Sequence, residues 1–427
     1  MDAKIHTELG RLRRIVIHRP GPEIDLMLPI NIEAYREVDS GIEANPDYLL
    51  FDDLVLLSRI RSEHDSLTSV LRASCGDADT LELRLMVREL LSDGDIRKKV
   101  IDEAVAEEEK IWAHTIDKDH LSKLYSLGPQ DLERAFFKGQ LPEGERIFKW
   151  PAPNVLFARD LAAVVGKNVV LTYARKRARR REMILSRALA TKHKAFEGLK
   201  PIDIGPHVSD PAIEGGDIMV LSPNQVAIGV GQRTNMESAQ EAGRQLLQNG
   251  VDQVYLVEIR VSRSTMHLDT VFTLVDSSTC LAHTPLIQTE GAVQVQTMER
   301  ASEGKATLRS RKGSFLSVLA EDGLRFDAIA CGGDSPWQQE REQWSDGANA
   351  FALAPSKILL YARNEHTLRG LNARGFEVFT PGDFCRNAAL LLSDPNRKVV
   401  VAIEGPELSR GRGGPRCLTL PIARDEL

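Results

Sequence analysis

Four times in this chain an acidic residue stands ahead of an apolar run, a short polar turn follows, and a second apolar run returns. Asp160 leads into LAAVVGKNVVLTY, Asp217 into IMVLSPNQVAIGV, Asp269 into TVFTLVDSSTCLAH and Asp346 into GANAFALAPSKILLY. The turns read Gly-Lys-Asn, Ser-Pro-Asn, Asp-Ser-Ser and Pro-Ser-Lys, all strong interruptions of a strand. Three of the four go on through a basic or amide-bearing loop into a helix: ARKRARRREMILSRAL, GQRTNMESAQEAGRQLL and ARNEHTLRGLNARG. A hairpin-plus-helix unit cannot bury its apolar face alone, so repeated units must stack on one another. Two arrangements meet that demand. In a propeller-like ring, equivalent strand starts face one central axis and gather their carboxylates there. In an ordinary α/β sheet, they are merely polar strand ends.

Outside the repeat, LGRLRRIVIHRP (residues 9–20) reads as an edge strand followed by a Pro-Gly turn. Residues 50–72 read as a helix, with Leu54, Leu57, Ile60 and Leu67 at helical spacing. Residues 76–150 are charged, almost free of strand patterns and periodic at three to four, which predicts an inserted module of short helices. The expected division is therefore 1–75 as the first part of the catalytic body, 76–150 as the insertion and 151–427 as the remainder.

Charge and composition exclude several classes. A net charge of -6 gives no global attraction to nucleic acid or an anionic membrane. The basic run Arg175 to Arg181 then reads as a solvated helix start. No apolar run approaches the roughly 20 residues of a membrane span, and MDAKIHTELGRLRR lacks the apolar core of a signal peptide. A cytoplasmic protein is expected, with homo-oligomerisation left open. The five cysteines are odd in number and scattered, which argues against a disulfide framework or a zinc site.

One cysteine stands out. Cys417 in ELSRGRGGPRCLTLPIARD follows Gly411, Gly413, Gly414 and Pro415, a bent or mobile loop. Arg412 and Arg416 beside it are expected to favour the thiolate. The bland reading is a small buried hydrophobe. In MHLDTVF, His267 and Asp269 stand at i, i+2, which on a strand puts both on one face. IEGGD supplies Glu214 and Asp217 with two glycines that allow close backbone approach, and PNVLFARD supplies Asn154 and Asp160. Singly, each carboxylate is most simply a turn residue. Together, one cysteine, one histidine and three or four carboxylates are too acidic for acyl transfer, which needs an oxyanion hole. They suit a planar cation, and guanidinium fits best.

The blocks HRPG, LLFDD, PN-x-x-F-x-RD, ARRRE, IEGGD, GQRT, MHLDTVF, CGGD, EREQWSDGAN and GRGGPRC occur in the order found in bacterial-type arginine deiminases. They run from residue 18 to 417, so the chain resembles that family over essentially its whole length. The resemblance implies a five-bladed, pseudo-symmetric α/β propeller with an inserted helical module. It implies Cys417 as nucleophile, His267 as general acid and base, Glu214 supporting His267, and Asp160 and Asp269 gripping the guanidinium. It further implies Asn154, Arg179 and Arg233 at the amino-acid end of the substrate and Arg412 in the mobile cysteine loop. Asp217 completes the candidate substrate-binding set. Ala158 and Leu161 stand where the family has Thr and Pro. Pro381 to Lys398 looks like an extra stretch, and IEAYREVDSGIEANPDY is long for its position.

The expected reaction is hydrolysis of free L-arginine to L-citrulline and ammonia through an amidino-cysteine, with water as the second reactant and no metal or organic cofactor. The negative site is expected to keep Cys417 a neutral thiol until the cation enters. Amidino transfer, dimethylarginine or agmatine hydrolysis, and non-catalytic arginine binding are the alternatives.

Overall fold

The computed structural model describes residues 2–300 and 306–427. They form a mixed α/β chain with five main sheets and one small exposed hairpin, Tyr35–Val38 with Gly41–Ala44. That hairpin is what the long IEAYREVDSGIEANPDY segment makes.

Each of the four repeats folds into its hairpin. Ala162–Val165 pairs antiparallel with Asn168–Leu171, and Ile218–Ser222 with Gln225–Val230. Phe272–Asp276 pairs with Thr279–Ala282, and Phe351–Ala354 with Lys357–Tyr361. A third strand then runs parallel to the second in every unit: Lys200–Ile202, Gln253–Glu258, Asp327–Ala330 and Lys398–Ile403. Parallel pairing demands a long crossover, and the predicted helices Arg180–Lys192 and Met236–Gln248 lie in the first two. Val399, Val400 and Val401 are all fully buried, as expected of a strand covered on both faces.

A fifth unit of the same pattern joins the two ends of the chain. Leu420–Arg424 pairs antiparallel with Leu12–Ile17, which pairs parallel with Thr80–Glu82. The strand expected at an edge is therefore central. One neighbour comes from nearly the far end of the sequence, where local patterning carries no signal. The same sheet takes Thr80–Glu82 from the stretch expected to be helical, whose helices begin at Leu83. They follow as Leu83–Leu90, Gly94–Trp112, Lys118–Ser126 and Pro129–Lys138. Asp93 and Asp117 cap the second and third by accepting from backbone N–H groups.

The helix expected from residue 50 runs instead over Leu57–Cys75. Leu49, Leu50 and Phe51 are buried as loop, with Leu50 held at φ 69. The apparent surplus after Pro381 is the helix Pro381–Ser393, which packs on Leu57–Cys75 and links the parallel strands Phe376–Phe379 and Lys398–Ile403. Among the described residues, no helix is long and apolar enough to cross a membrane.

Candidate active site

The acidic residues of the first three repeats sit in single 3-10 turns just ahead of their strands: Ala158–Leu161, Gly215–Asp217 and Leu268–Thr270. His267 and Asp269 therefore do not share a strand face as expected. His267 precedes the turn, Asp269 lies within it, and the strand begins only at Phe272. The turn buries both side chains without spending strand length on polar groups.

Cys417 lies beyond the short helix Pro406–Arg410. Its carbonyl accepts from the Arg159 N–H at 3.0 Å, and its N–H donates to Asn349 Oδ1 at 3.2 Å. Its Sγ stands 3.8 and 4.0 Å from the two oxygens of Asp269. Burial, reinforced by the charges of Asp269, Asp160 and Asp346, pushes the thiol well above its ordinary value. This overturns the expectation that the neighbouring arginines favour the thiolate. Arg416 is engaged by Asp269 Oδ2 at 2.8 Å and Glu8 Oε1 at 3.0 Å. Arg412 lies 3.8 Å from the centre of the Trp344 ring, 3.3 Å from Asp52 Oδ2, and donates to the Trp344 and Arg263 carbonyls. The direction of the shift agrees with a thiol that stays neutral in the empty site. Since the thiolate is the reactive form, neutral iodoacetamide should leave Cys417 unmodified at pH 7 and alkylate it only as pH rises above 9. Peptide mapping separates this from modification of the other cysteines, and fast labelling of Cys417 at pH 7 would contradict it.

His267 Nε2 is 2.9 Å from Glu214 Oε2, and Nδ1 is 3.8 Å from Asp160 Oδ1. Burial disfavours the charged imidazole, but Asp160, Asp217 and the hydrogen-bonded Glu214 outweigh it and raise His267 to about 9. Glu214 is correspondingly lowered to about 2: burial opposes its charge, and Arg233, Arg179 and His267 prevail. The double glycine permits this crowding. A Cβ on Gly216 would stand 2.8 Å from both Asp160 Oδ1 and the His267 ring. Gly216→Ala should therefore separate acid from imidazole and lower kcat/KM by about 10- to 100-fold, as misplacement near 1 Å does. A steady-state assay showing parent-like kcat/KM would contradict that geometry.

The remaining predicted residues divide. Arg179 Nη1 bonds Asp160 Oδ2 and, at 3.2 Å, Glu214 Oε2; its Nε pairs with Glu182 at 3.2 Å. Its Nη2 donates to the carbonyls of Asn154 and Phe157. The basic run is a solvated helix start only in part: Arg175 and Arg177 are exposed, while Arg179 and Arg181 are buried, Arg181 on Glu108 and the Trp150 carbonyl. Arg233 Nη1 is 3.4 Å from Glu214 Oε2. Asn154 donates to the Leu49 carbonyl at 2.8 Å. Asp217 has both oxygens engaged, by the Thr234 hydroxyl at 2.6 Å and the Leu268 N–H at 2.9 Å, so it braces the His267 turn.

Asp160, Glu214 and His267 offer ligand atoms within 4.8 Å of one another, a spacing that suits a metal ion. Arg179 ion-pairs two of the three, so a guanidinium already sits where a metal would bind. Glu8, which pairs with Arg416, was not foreseen. Arg416 adjoins Cys417 in GRGGPRC, but Glu8 carries no local signal at all.

A buried thiol against a carboxylate, with an imidazole–carboxylate pair nearby, is the set of groups that a guanidine-modifying enzyme uses. The family model for arginine deiminase matches residues 47–424, and the chain belongs to that family. It is 29% identical over 447 residues to the arginine deiminase of Listeria monocytogenes serovar 1/2a, covering 99% of this chain and 98% of the relative. It is 31% identical over 444 residues to that of Mycoplasma capricolum, covering 100% and 99%. Among solved structures, DDAH from Pseudomonas aeruginosa in complex with citrulline aligns with a TM-score of 0.47 at 13% identity, over 96% of this chain and 99% of that one.

Proposed function

We propose that this protein hydrolyses free L-arginine to L-citrulline and ammonia with Cys417 as the nucleophile. The observation that carries this reading is the Cys417 thiol set 3.8 Å from the Asp269 carboxylate and within reach of the charge of Asp160, which itself stands beside the His267–Glu214 pair. Asp160 already holds one guanidinium, that of Arg179. The substrate's guanidinium is bound by Asp269 and by the Asp160 oxygen that Arg179 leaves without a partner, which brings its carbon to the sulfur. Its positive charge offsets the carboxylates that hold the thiol neutral, so attack begins only when the site is filled. The thiol gives up its proton to solvent as sulfur bonds to carbon, His267 protonates one nitrogen, and ammonia leaves, taking up the released proton as ammonium. His267, now neutral, takes a proton from water, whose oxygen adds to the amidino carbon. The C–S bond breaks, and citrulline and the thiol are released. The atoms balance with water alone. Substrate entry requires the Arg412 segment to move, because Cys417 is only 5% exposed.

The five sheets, each an antiparallel pair extended by a parallel strand, support reading the body as a five-bladed propeller. The carboxylate-bearing turns then lie about one axis, and residues from 83 onward form the inserted helical module. A small-molecule substrate with no nucleic acid or membrane partner fits this site. Incubation with arginine, methylated arginine, agmatine, or arginine plus glycine, followed by product identification, tests the assignment. Citrulline from arginine alone supports it; a product from any other pairing in preference to arginine replaces it.

Arg233 bears on substrate choice. With Arg179 and Asn154 it is read as the clamp for the α-carboxylate, through charge-assisted hydrogen bonds worth roughly 1.5–3 kcal/mol each. Arg233→Leu should lose at least about tenfold in kcat/KM for arginine and much of its preference over agmatine, which lacks the carboxylate. An arginine-to-agmatine ratio equal to the parent's would remove Arg233 from that role.

A further inference from the structure

Asn349 lies between the acidic residue of the fourth repeat and its strand, Phe351–Ala354, and is fully buried. Its side chain makes three hydrogen bonds, all to backbone. Oδ1 accepts from the N–H groups of Arg416 at 3.0 Å and Cys417 at 3.2 Å. Nδ2 donates to the carbonyl of Asp269 at 3.0 Å. One amide therefore ties the residue that bears the thiol to the residue whose carboxylate faces that thiol. The amide is itself held in place, because the Asn349 N–H donates to the Asp346 carbonyl at 3.0 Å. Gly414 lies against it: a Cβ there would meet Asn349 Oδ1 at 2.6 Å and its Cβ at 2.7 Å. The loop can rest on the amide only where it has no side chain.

We propose that Asn349 is a positioning residue for the reaction, fixing the separation and direction of Cys417 Sγ relative to Asp269. The inference rests on Cys417 being the nucleophile. Its chemical logic lies in the adduct. In acyl transfer, amide N–H groups beside the nucleophile commonly receive a developing oxyanion. The first adduct here carries nitrogens and no anionic oxygen, so two successive N–H groups are free to serve as anchors. An amide oxygen has two lone pairs and can hold both, while its NH2 reaches the opposite wall. Bonds buried away from water hold this geometry tightly.

The test uses the full chain with Asn349→Ala, Asn349→Asp and Gly414→Ala. Asn349→Asp keeps an acceptor for the two N–H groups and loses the donor to Asp269. Gly414→Ala displaces the amide without removing it. Steady-state kinetics with arginine are combined with alkylation of Cys417, read by peptide mapping, using neutral iodoacetamide and cationic 2-chloroacetamidine at a pH where both react. Asn349→Ala should lose about 30- to 300-fold in kcat with KM within about threefold, and Asn349→Asp should fall between it and the parent. The chloroacetamidine rate should drop about tenfold more than the iodoacetamide rate, because only the cation must be aligned between sulfur and carboxylate. Parent-like kcat in a folded Asn349→Ala protein overturns the inference. So do two alkylation rates that move together with KM, the signature of general loosening. Should Asn349→Ala fail to fold, Asn349→Asp and Gly414→Ala decide by the same criteria. Cys417→Ala, run alongside, separates the two claims. Activity in it sinks the nucleophile assignment; its inactivity beside normal Asn349 and Gly414 variants sinks only the positioning role.

Discussion

Cys417→Ala is expected to remove citrulline formation, a loss of about ten-thousandfold or more, while the protein still folds. The substitution deletes one buried atom, and an unfilled volume of that size costs on the order of 1 kcal/mol. No other described cysteine can take over. Cys280 is buried in an apolar cluster and Cys331 is buried near Thr367 and Glu342, and burial raises both thiols well above the ordinary range. Cys75 bonds the Leu71 carbonyl, and Cys385 lies beside Ser69 between two packed helices. Citrulline assay of the variant, purified from a host lacking this activity, with circular dichroism and thermal melting to confirm folding, is the measurement. Normal turnover would end the assignment of Cys417 as nucleophile.

His267→Ala should slow both halves of the reaction, each by about 10² to 10⁴, the usual range for a positioned acid or base. With His267 raised to about 9, the imidazole is charged at neutral pH and can act as the acid when ammonia leaves. Having given up that proton, it is the base for water. Glu214, lowered to about 2, stays ionised throughout and holds the ring by its Nε2. Rapid-quench mass spectrometry follows the amidino-cysteine directly. An adduct that forms slowly in the variant yet breaks down at the parent rate would mean that a different group activates water. Above pH 9 the parent itself should lose the acid as His267 deprotonates, and formation of the adduct should slow accordingly.

The four hairpins were legible because an acid, an apolar run and a polar turn recur at each. The fifth unit was not, because Leu12–Ile17 and Leu420–Arg424 are joined only by tertiary pairing. Cys417, His267, Glu214, Asp160 and Asp269 could be named because their motifs are dense in special residues. Where their side chains point was harder to read: the strand spacing assigned to His267 and Asp269 gave way to a 3-10 turn. Charge was the least legible property. Arg412 and Arg416 look like thiolate-stabilising neighbours in sequence, yet Glu8, Asp269 and the Trp344 ring engage them. Asn349 closes the EREQWSDGAN block, but the motif does not say that its side chain turns to the backbone of Asp269, Arg416 and Cys417.

The pairing of Leu420–Arg424 with Leu12–Ile17 also orders events in time. The thiol stands just ahead of Leu420–Arg424, so the segment that carries it docks only when two distant stretches of chain meet. Closing so long a loop carries a large entropic cost that local contacts cannot offset in advance. The four hairpin units, each stabilised by near neighbours, can assemble before that closure. In refolding, secondary structure and most burial should therefore appear ahead of turnover. A chain caught between the two phases would hold its acidic chamber already built and have no nucleophile in it.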